Sequence, residues 1–313
     1  MGKKEKIFTG STISLLCTLI FTLSYSVSSL AWEPDPRRNL VPDARPLAMG
    51  EAFRAISVGN SALYYNPAGL AFFPTYSIEA NYTYQSWVSG HVAQVSIADT
   101  KSNPYVGAVV GYSYGHFDGN PLGKGDKFSY HSTRLGLCFP LVKDTLALGL
   151  GSHYMNSKKD DHQADNFLSL DVSLLAKIGH VVSLAVVGHN LTNPASQSAP
   201  MSIGSGVAFQ PFGSLLLAFD VVADFQSAKG TAMEYHTGAE YQILFGQGKG
   251  GGQVIALRGG YIYDDVRDRQ FVSGGLAYVN PGGALEFSFR QGVAGSGTSD
   301  KDSIFSFSLK LFL

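Results

Sequence analysis

A chain of 313 residues with a formal net charge of −1 carries no basic excess with which to hold nucleic acid. Charged residues make up only 15%, against 36 glycines, 16 tyrosines and 20 phenylalanines. Amphipathic helical patterns are nearly absent after residue 75, so the composition argues against a soluble helical domain and for an all-β protein.

The N-terminus reads as an export signal. Lys3, Lys4 and Lys6 form a basic start, Ile13 to Leu23 an apolar core, and Ser29-Leu30-Ala31 a small-residue cleavage site, which predicts a signal peptide over 1–31. The apolar run is shorter than the roughly 20 residues of a membrane helix. Leu16 before Cys17 does not suit a lipid-anchor signal. Beyond residue 31 the single cysteine is Cys138, which excludes an intramolecular disulfide.

Residues 32–75 follow. "RPLAMGEAFRAI" predicts a short helix after Pro46, with Leu47, Met49 and Phe53 available for packing. "NSALYYNPAGLAFF" then sets "NPAG" between two apolar-aromatic runs. Pro67 fixes its own φ and biases Asn66 to an extended conformation. The Asn66 carboxamide can accept from the N–H two residues on, and Gly69 can take a positive φ. Two readings of Asn66, Pro67, Ala68 and Gly69 stand side by side: a loop before the first strand, or a self-satisfying turn in a plug inside a barrel.

From residue 76 the period is two. In "SIFSFSLKLFL", Phe305, Phe307, Leu309, Leu311 and Leu313 share one face, and Ser306, Ser308 and Lys310 the other. "ALEFSFR" sets Leu285, Phe287 and Phe289 against Glu286, Ser288 and Arg290. "LSLDVSLLAK" does the same with Leu168, Leu170, Val172 and Leu174. Fourteen segments follow this rule, over 76–88, 91–99, 105–117, 126–139, 144–156, 166–178, 181–190, 201–209, 214–226, 233–245, 253–263, 270–279, 283–291 and 302–313. Most reach the roughly 9–11 residues that a tilted strand needs to cross an outer membrane.

The links alternate in character. "DGNPLGKG", "SKKDDHQAD", "SAKGTA", "YDDVRDR" and "VAGSGTSDK" are longer and polar, and "PLVK", "GH", "QPFG" and "NPGG" are compact. "SGH" is short for the first class and "GQGKGGG" long for the second. Short periplasmic turns and longer outer loops mark membrane barrels. A soluble β-sandwich also alternates, but would bury its apolar face under more aliphatic residues. The apolar alternation of Leu309, Leu311 and Leu313 suits a last-strand signal for the barrel assembly machinery.

The polar faces carry Asp220, Asp224, Glu240, Arg258, Glu286 and Arg290 as candidate lumen residues. Glu240 and Arg258, on consecutive strands, can pair. They either fill the interior as paired charges or line a selective path. Ser129, His131 and Thr133 share a face with Leu135, Leu137 and Phe139, as a lipid-facing hydrolase would need, but no carboxylate is placed to orient the histidine, so an enzyme is not expected. Asp160, Asp161, His162 and Asp165 lack a defined ligand spacing and read as a solvated loop. "GQGKGGG" lacks the spacing of a phosphate loop. Neither a metal nor a cofactor is expected.

"RPLAMGEAFRAISVGNSALYYNPAGLA", Arg45 to Ala71, resembles the start of outer-membrane proteins of the long-chain fatty acid transporter (FadL/TodX) superfamily. It is similarly close to the shorter PorV/PorQ- and TraF-like barrels. The matching positions are Ala48-Met49-Gly50, Ala52-Phe53, Asn60-Ser61-Ala62 and Asn66-Pro67-Ala68-Gly69-Leu70. The resemblance implies a fourteen-stranded transmembrane antiparallel β-barrel over 76–313. It also implies that 32–75 folds into the lumen as a hatch, with Met49, Gly50 and Phe53 packing it. The expected location is the outer membrane of a Gram-negative-type bacterium, among its lipids. The expected function is passive uptake of small hydrophobic molecules, fatty-acid-like or aromatic. The alternative is an accessory barrel that binds a secretion or envelope protein. Loops shorter than those of the fatty acid transporters lean toward the shorter relatives.

Overall fold

The computed structural model describes residues 43–118, 127–160, 162–194, 196, 198–228, 230–248, 251–265, 268–295 and 303–313. The expected signal peptide, the first part of 32–75 and Asp161 lie outside the described residues.

Among the described residues fourteen strands form one closed antiparallel barrel. They are β1 (Tyr76–Gln85), β2 (Gly90–Asp99), β3 (Gly107–Phe117), β4 (Phe128–Val142), β5 (Leu146–Lys159), β6 (His162–Ile178) and β7 (Val182–His189). The second half is β8 (Ser202–Phe212), β9 (Leu215–Ala228), β10 (Gly230–Gly248), β11 (Gly251–Asp264), β12 (Arg269–Asn280), β13 (Gly283–Gly295) and β14 (Ser303–Phe312). Each strand pairs with the next, and β14 closes on β1, Ser77 opposite Phe312 and Gln85 opposite Ile304. Each of the fourteen predicted segments contributes one strand.

The period of two decides which face looks outward. On β14, Phe305, Phe307, Leu309 and Leu311 are exposed, whereas Ser306, Ser308 and Lys310 are buried. The same split holds for Leu285 and Phe289 against Glu286, Ser288 and Arg290 on β13. The barrel therefore wears its apolar side chains outside and its polar ones inside. Water opposes that arrangement and a bilayer favours it, because closure leaves no backbone edge unpaired in hydrocarbon. Such a barrel is built to span an outer membrane.

Two expected links are strand instead. In "SKKDDHQAD", β5 continues to Lys159 and β6 opens at His162, with Lys159 opposite His162 and Ser157 opposite Asp165. His162 and Asp165 thus belong to a hairpin and not to a solvated loop. In "GQGKGGG", β10 reaches Gly248 and β11 begins at Gly251. Backbone pairing runs on where the apolar alternation stops, because a ladder needs no apolar side chains once it has left the lipid band. The long described link, residues 190–201, joins β7 to β8.

An even strand number puts the start of β1 and the end of β14 at one end, together with the compact turns 143–145, 179–181, 213–214 and 281–282. Cysteines placed at Asp160 and Asp265, in a Cys138→Ser background, are expected to react with an impermeant thiol reagent on intact cells. One at Gly282 should stay unlabelled. The reverse pattern would invert the barrel.

Residues 43–75 carry α1 (Ala44–Ala48), a 3-10 turn (Gly59–Ser61), α2 (Ala62–Tyr65) and a 3-10 helix (Pro67–Phe72). The first helix starts before Pro46 and not after it. In the first turn a missing N–H costs nothing. The segment packs against inward strand faces, α1 on β11 to β14 and Pro67–Phe72 on β3 to β6. The wall makes room with small residues: Ala147, Ala185, Ala208 and Ala218 cluster with Met49 and Ala68.

Candidate functional site

The site is the contact between residues 43–75 and the charged inner wall. Asp220 on β9 is fully buried. Its Oδ2 accepts from the Phe53 N–H at 2.9 Å, the Arg54 N–H at 2.9 Å and Arg54 Nη1 at 3.1 Å. One carboxylate thus satisfies two backbone donors that have no ladder to join, together with the cation beside them.

A second contact is a chain of charges. Glu240 on β10 accepts from Arg45 Nε at 3.0 Å and Arg45 Nη2 at 3.1 Å. It faces Arg258 in the β10–β11 register and takes its Nε at 2.6 Å. Arg258 Nη1 continues to Glu286 on β13 at 3.3 Å. Arg290 Nη1 donates to Glu51 at 2.9 Å, and Lys310 lies 3.2 Å from Glu79. Asp224 is equally buried, and one of its oxygens accepts from the Gln226 N–H at 2.8 Å. Of the six candidate lumen residues, Asp220, Glu240 and Arg290 touch the N-terminal segment directly. Arg258 and Glu286 act through Glu240, and Asp224 bonds within its own strand. Arg45, Glu51 and Arg54, the other halves of these pairs, carry no periodic signal in the sequence.

Asn66 is extended, at φ −165° and ψ 97°, and caps the 3-10 helix that Pro67 opens. Its Oδ1 accepts from the Ala68 N–H at 3.0 Å, and its Nδ2 donates to the Arg54 carbonyl at 2.9 Å. "NPAG" thus makes the expected side-chain turn, with the Gly69 N–H donating to the Asn66 carbonyl at 3.0 Å, and it opens a 3-10 helix. Gly69 does not take a positive φ; its reason is close approach, since a Cβ there would sit 2.0 Å from the Ser57 carbonyl oxygen. Gly50 does turn left-handed, at φ +60°. The segment also draws on the wall. Ser173 accepts from the Ala68 N–H, and Ser273 from the Gly50 N–H at 3.0 Å. Met49 and Phe53 are buried, and Phe53 lies edge-on to Tyr65 at 5.5 Å. Asp43 at the head of α1 is also buried, and desolvation holds its carboxyl above the ordinary carboxylate value despite the nearby Lys310 ammonium.

Cavities lie at both ends of the segment. The one toward the end away from the termini measures about 120 Å³ and is lined by Arg54, Tyr64, Tyr130, Arg134, His153 and Asp171. Arg134 and His153 stand opposite each other on β4 and β5. At the terminal end are two cavities of about 400 and 410 Å³, which share Arg45, Val58 and Gln242 in their linings.

The wall beside the smaller cavity is irregular. β6 pairs with β7 only between Val172–Gly188 and Ile178–Val182. Beyond Val172 the partner of β6 is the 190–201 connection, held mainly by side chains. Asp171 Oδ1 accepts from the Asn190 N–H at 2.7 Å. Asp165 accepts from Ser196 Oγ at 2.7 Å and Ser198 Oγ at 2.8 Å. Among the described residues one backbone bond, Leu191 N–H to the Leu170 carbonyl at 2.8 Å, joins them. This strap has no alternation, so the sequence carried no sign of it.

His131 faces outward, its Nδ1 2.6 Å from the Tyr112 hydroxyl. That pairing offers no carboxylate to orient the ring for nucleophilic chemistry.

A closed fourteen-stranded barrel with an N-terminal segment bonded to its inner wall can be compared with solved structures. A FadL homologue of Pseudomonas aeruginosa superposes with a TM-score of 0.57 at 12% identity, over 87% of this chain and 99% of that one. The P. putida toluene transporter TodX superposes with a TM-score of 0.59 at 12% identity, over 87% and 98%. The chain has the FadL–TodX barrel fold. No family model matches the chain, and no curated protein matches it significantly. Within the FadL–TodX fold, the motif residues Met49, Gly50, Phe53, Asn66 and Gly69 all lie in the segment that contacts the inner wall.

Proposed function

We propose that the protein passes small hydrophobic molecules, fatty-acid-like or aromatic, across an outer membrane, with 32–75 as its hatch. The observation that carries this reading is the place where the segment meets the strap. The small cavity is lined both by the segment, through Arg54 and Tyr65, and by the strap, through Asn190 and Ser198. A solute captured there has two ways on. It can pass the segment toward the larger cavities, or leave sideways where, among the described residues, the wall lacks a continuous ladder. The fold shared with a toluene transporter supports a hydrophobic cargo.

The test is uptake by liposomes holding the purified barrel. Toluene or a fluorescent fatty acid should enter faster than a hydrophilic sugar of similar size. Asp165→Ala, which removes the acceptor for Ser196 and Ser198, should change hydrophobic entry several-fold and leave sugar entry alone. Equal entry of both solutes with the wild type would sink the proposal.

A second reading is favoured by the many bonds that tie the segment to the wall: the barrel would hold an envelope protein and pass nothing. Liposomes that take up no solute, with a cross-linked protein partner recovered from cells, would establish it.

A further inference from the structure

On β3, β4 and β5 the outward face changes character in register. Val110 faces Leu135, and two residues further along the strands Tyr112, Thr133 and Tyr154 form a row. The next row is Tyr114, His131 and Asn156, and the next His116, Ser129 and Lys158. His91 on β2 extends this last row. Aliphatic, aromatic and polar side chains, the last row ending on Lys158, thus succeed one another along one strip, with adjacent rows about 7 Å apart along the strands.

At the cationic end is a recess of about 230 Å³ lined by His116, Lys127, Phe128, Ser129, Lys158 and Asp160. Lys127 and Lys158 are exposed. Two carboxylates are near: Asp118 lies 3.6 Å from His116 Nε2, and Asp160 donates its N–H to the Lys127 carbonyl at 3.0 Å. Below the recess the tyrosine hydroxyls are already engaged with histidine, Tyr112 with His131 and Tyr82 with His91, both at 2.6 Å. Tyr112, Tyr114 and Tyr154 are all exposed on this face.

We propose that this strip holds one phosphorylated lipid of the leaflet at that end. Its phosphate would sit in the recess between Lys127 and Lys158, with Ser129 as a further donor, and its acyl chains along Tyr112, Val110 and Leu135. The two ammonium groups offer charge-assisted bonds to the phosphate in competition with Asp118 and Asp160, and the apolar rows continuous with the recess select a lipid over a free anion. The proposal rests on the barrel's spanning a membrane and not on its passing a solute.

The test uses the delipidated, folded barrel in detergent and native mass spectrometry. The probes are a bisphosphorylated glycolipid of the lipid A type, its dephosphorylated counterpart, and inorganic phosphate as competitor. The phosphorylated lipid should bind about tenfold more tightly than the dephosphorylated one. Lys127→Glu with Lys158→Glu should erase that difference. Inorganic phosphate should not displace the lipid. Equal binding of the two lipids, or an unchanged preference in the double variant, overturns the proposal. Displacement by inorganic phosphate would make the recess a simple anion site and overturn the lipid assignment. If the double variant does not fold, the wild-type comparison and Lys158→Gln decide the question.

Discussion

Asp220→Ala is expected to free residues 43–75 from the wall and leave the barrel closed. The substitution removes the acceptor of the Phe53 and Arg54 N–H groups and the partner of the Arg54 guanidinium. Breaking a buried ion pair from one side costs about 3–5 kcal/mol, because the remaining charge stays desolvated. The wall does not share that loss. Its ladder hydrogen bonds are untouched, and Asp220 lies within β9, paired on both sides. The variant should therefore insert and remain heat-modifiable, while amide exchange at 50–58 accelerates and sensitivity to bulky antibiotics rises. Asp220→Asn, which keeps one acceptor, should fall between. Wild-type exchange at 50–58 in Asp220→Ala would show that the segment is held elsewhere.

Gly260→Val, on β11 two strands from Asp220, is expected to act as strongly. A Cβ on Gly260 would lie 2.1 Å from the Gly50 nitrogen and 2.4 Å from the Met49 carbonyl carbon. Both are backbone atoms, so no side chain can swing aside. Gly50 cannot readily yield, because its left-handed φ and its bonds to Ser273 Oγ and His236 Nδ1, both at 3.0 Å, hold it. The neighbouring Gly259 is the control: its added Cβ meets nothing nearer than 4.0 Å. Gly260→Val should expose residues 43–75 to limited proteolysis and raise conductance in planar bilayers, and Gly259→Val should do neither. Identical behaviour of the two variants would detach these glycines from the segment.

How much was legible depends on the interaction that fixes each feature. The barrel follows from a period of two, which is local, and the paired polar faces put Glu240 beside Arg258 before any coordinates. Strand ends were less legible, because β5 and β10 continue by backbone pairing after their apolar signal ends. The role of Gly69 was misread, since a glycine needed for φ and one needed for close approach look alike in sequence. Ser57, the residue that decides it, is twelve positions away. Arg45, Glu51 and Arg54 were missed as partners because their counterparts lie far along the chain. The 190–201 strap was missed because serine and asparagine hydrogen bonds have no period.

The ion pair between Glu51 and Arg290 joins residues 239 positions apart. The same short segment also bonds β6, β9, β10 and β12, and through Asn60 it bonds Ser77 on β1 and Ser96 on β2. Early strands present part of that surface, β1 and β2 to Asn60 and β3 to β6 to Pro67–Phe72, but the charged half is complete only once β9 to β13 are in place. The first stretch of the described chain is thus held in place by some of the last, and its docking must follow closure of β14 on β1. Contacts of such separation carry a large loop-closure cost until the intervening chain is ordered. Seating of the segment is consequently a late step of biogenesis, and it reports that the wall has been completed.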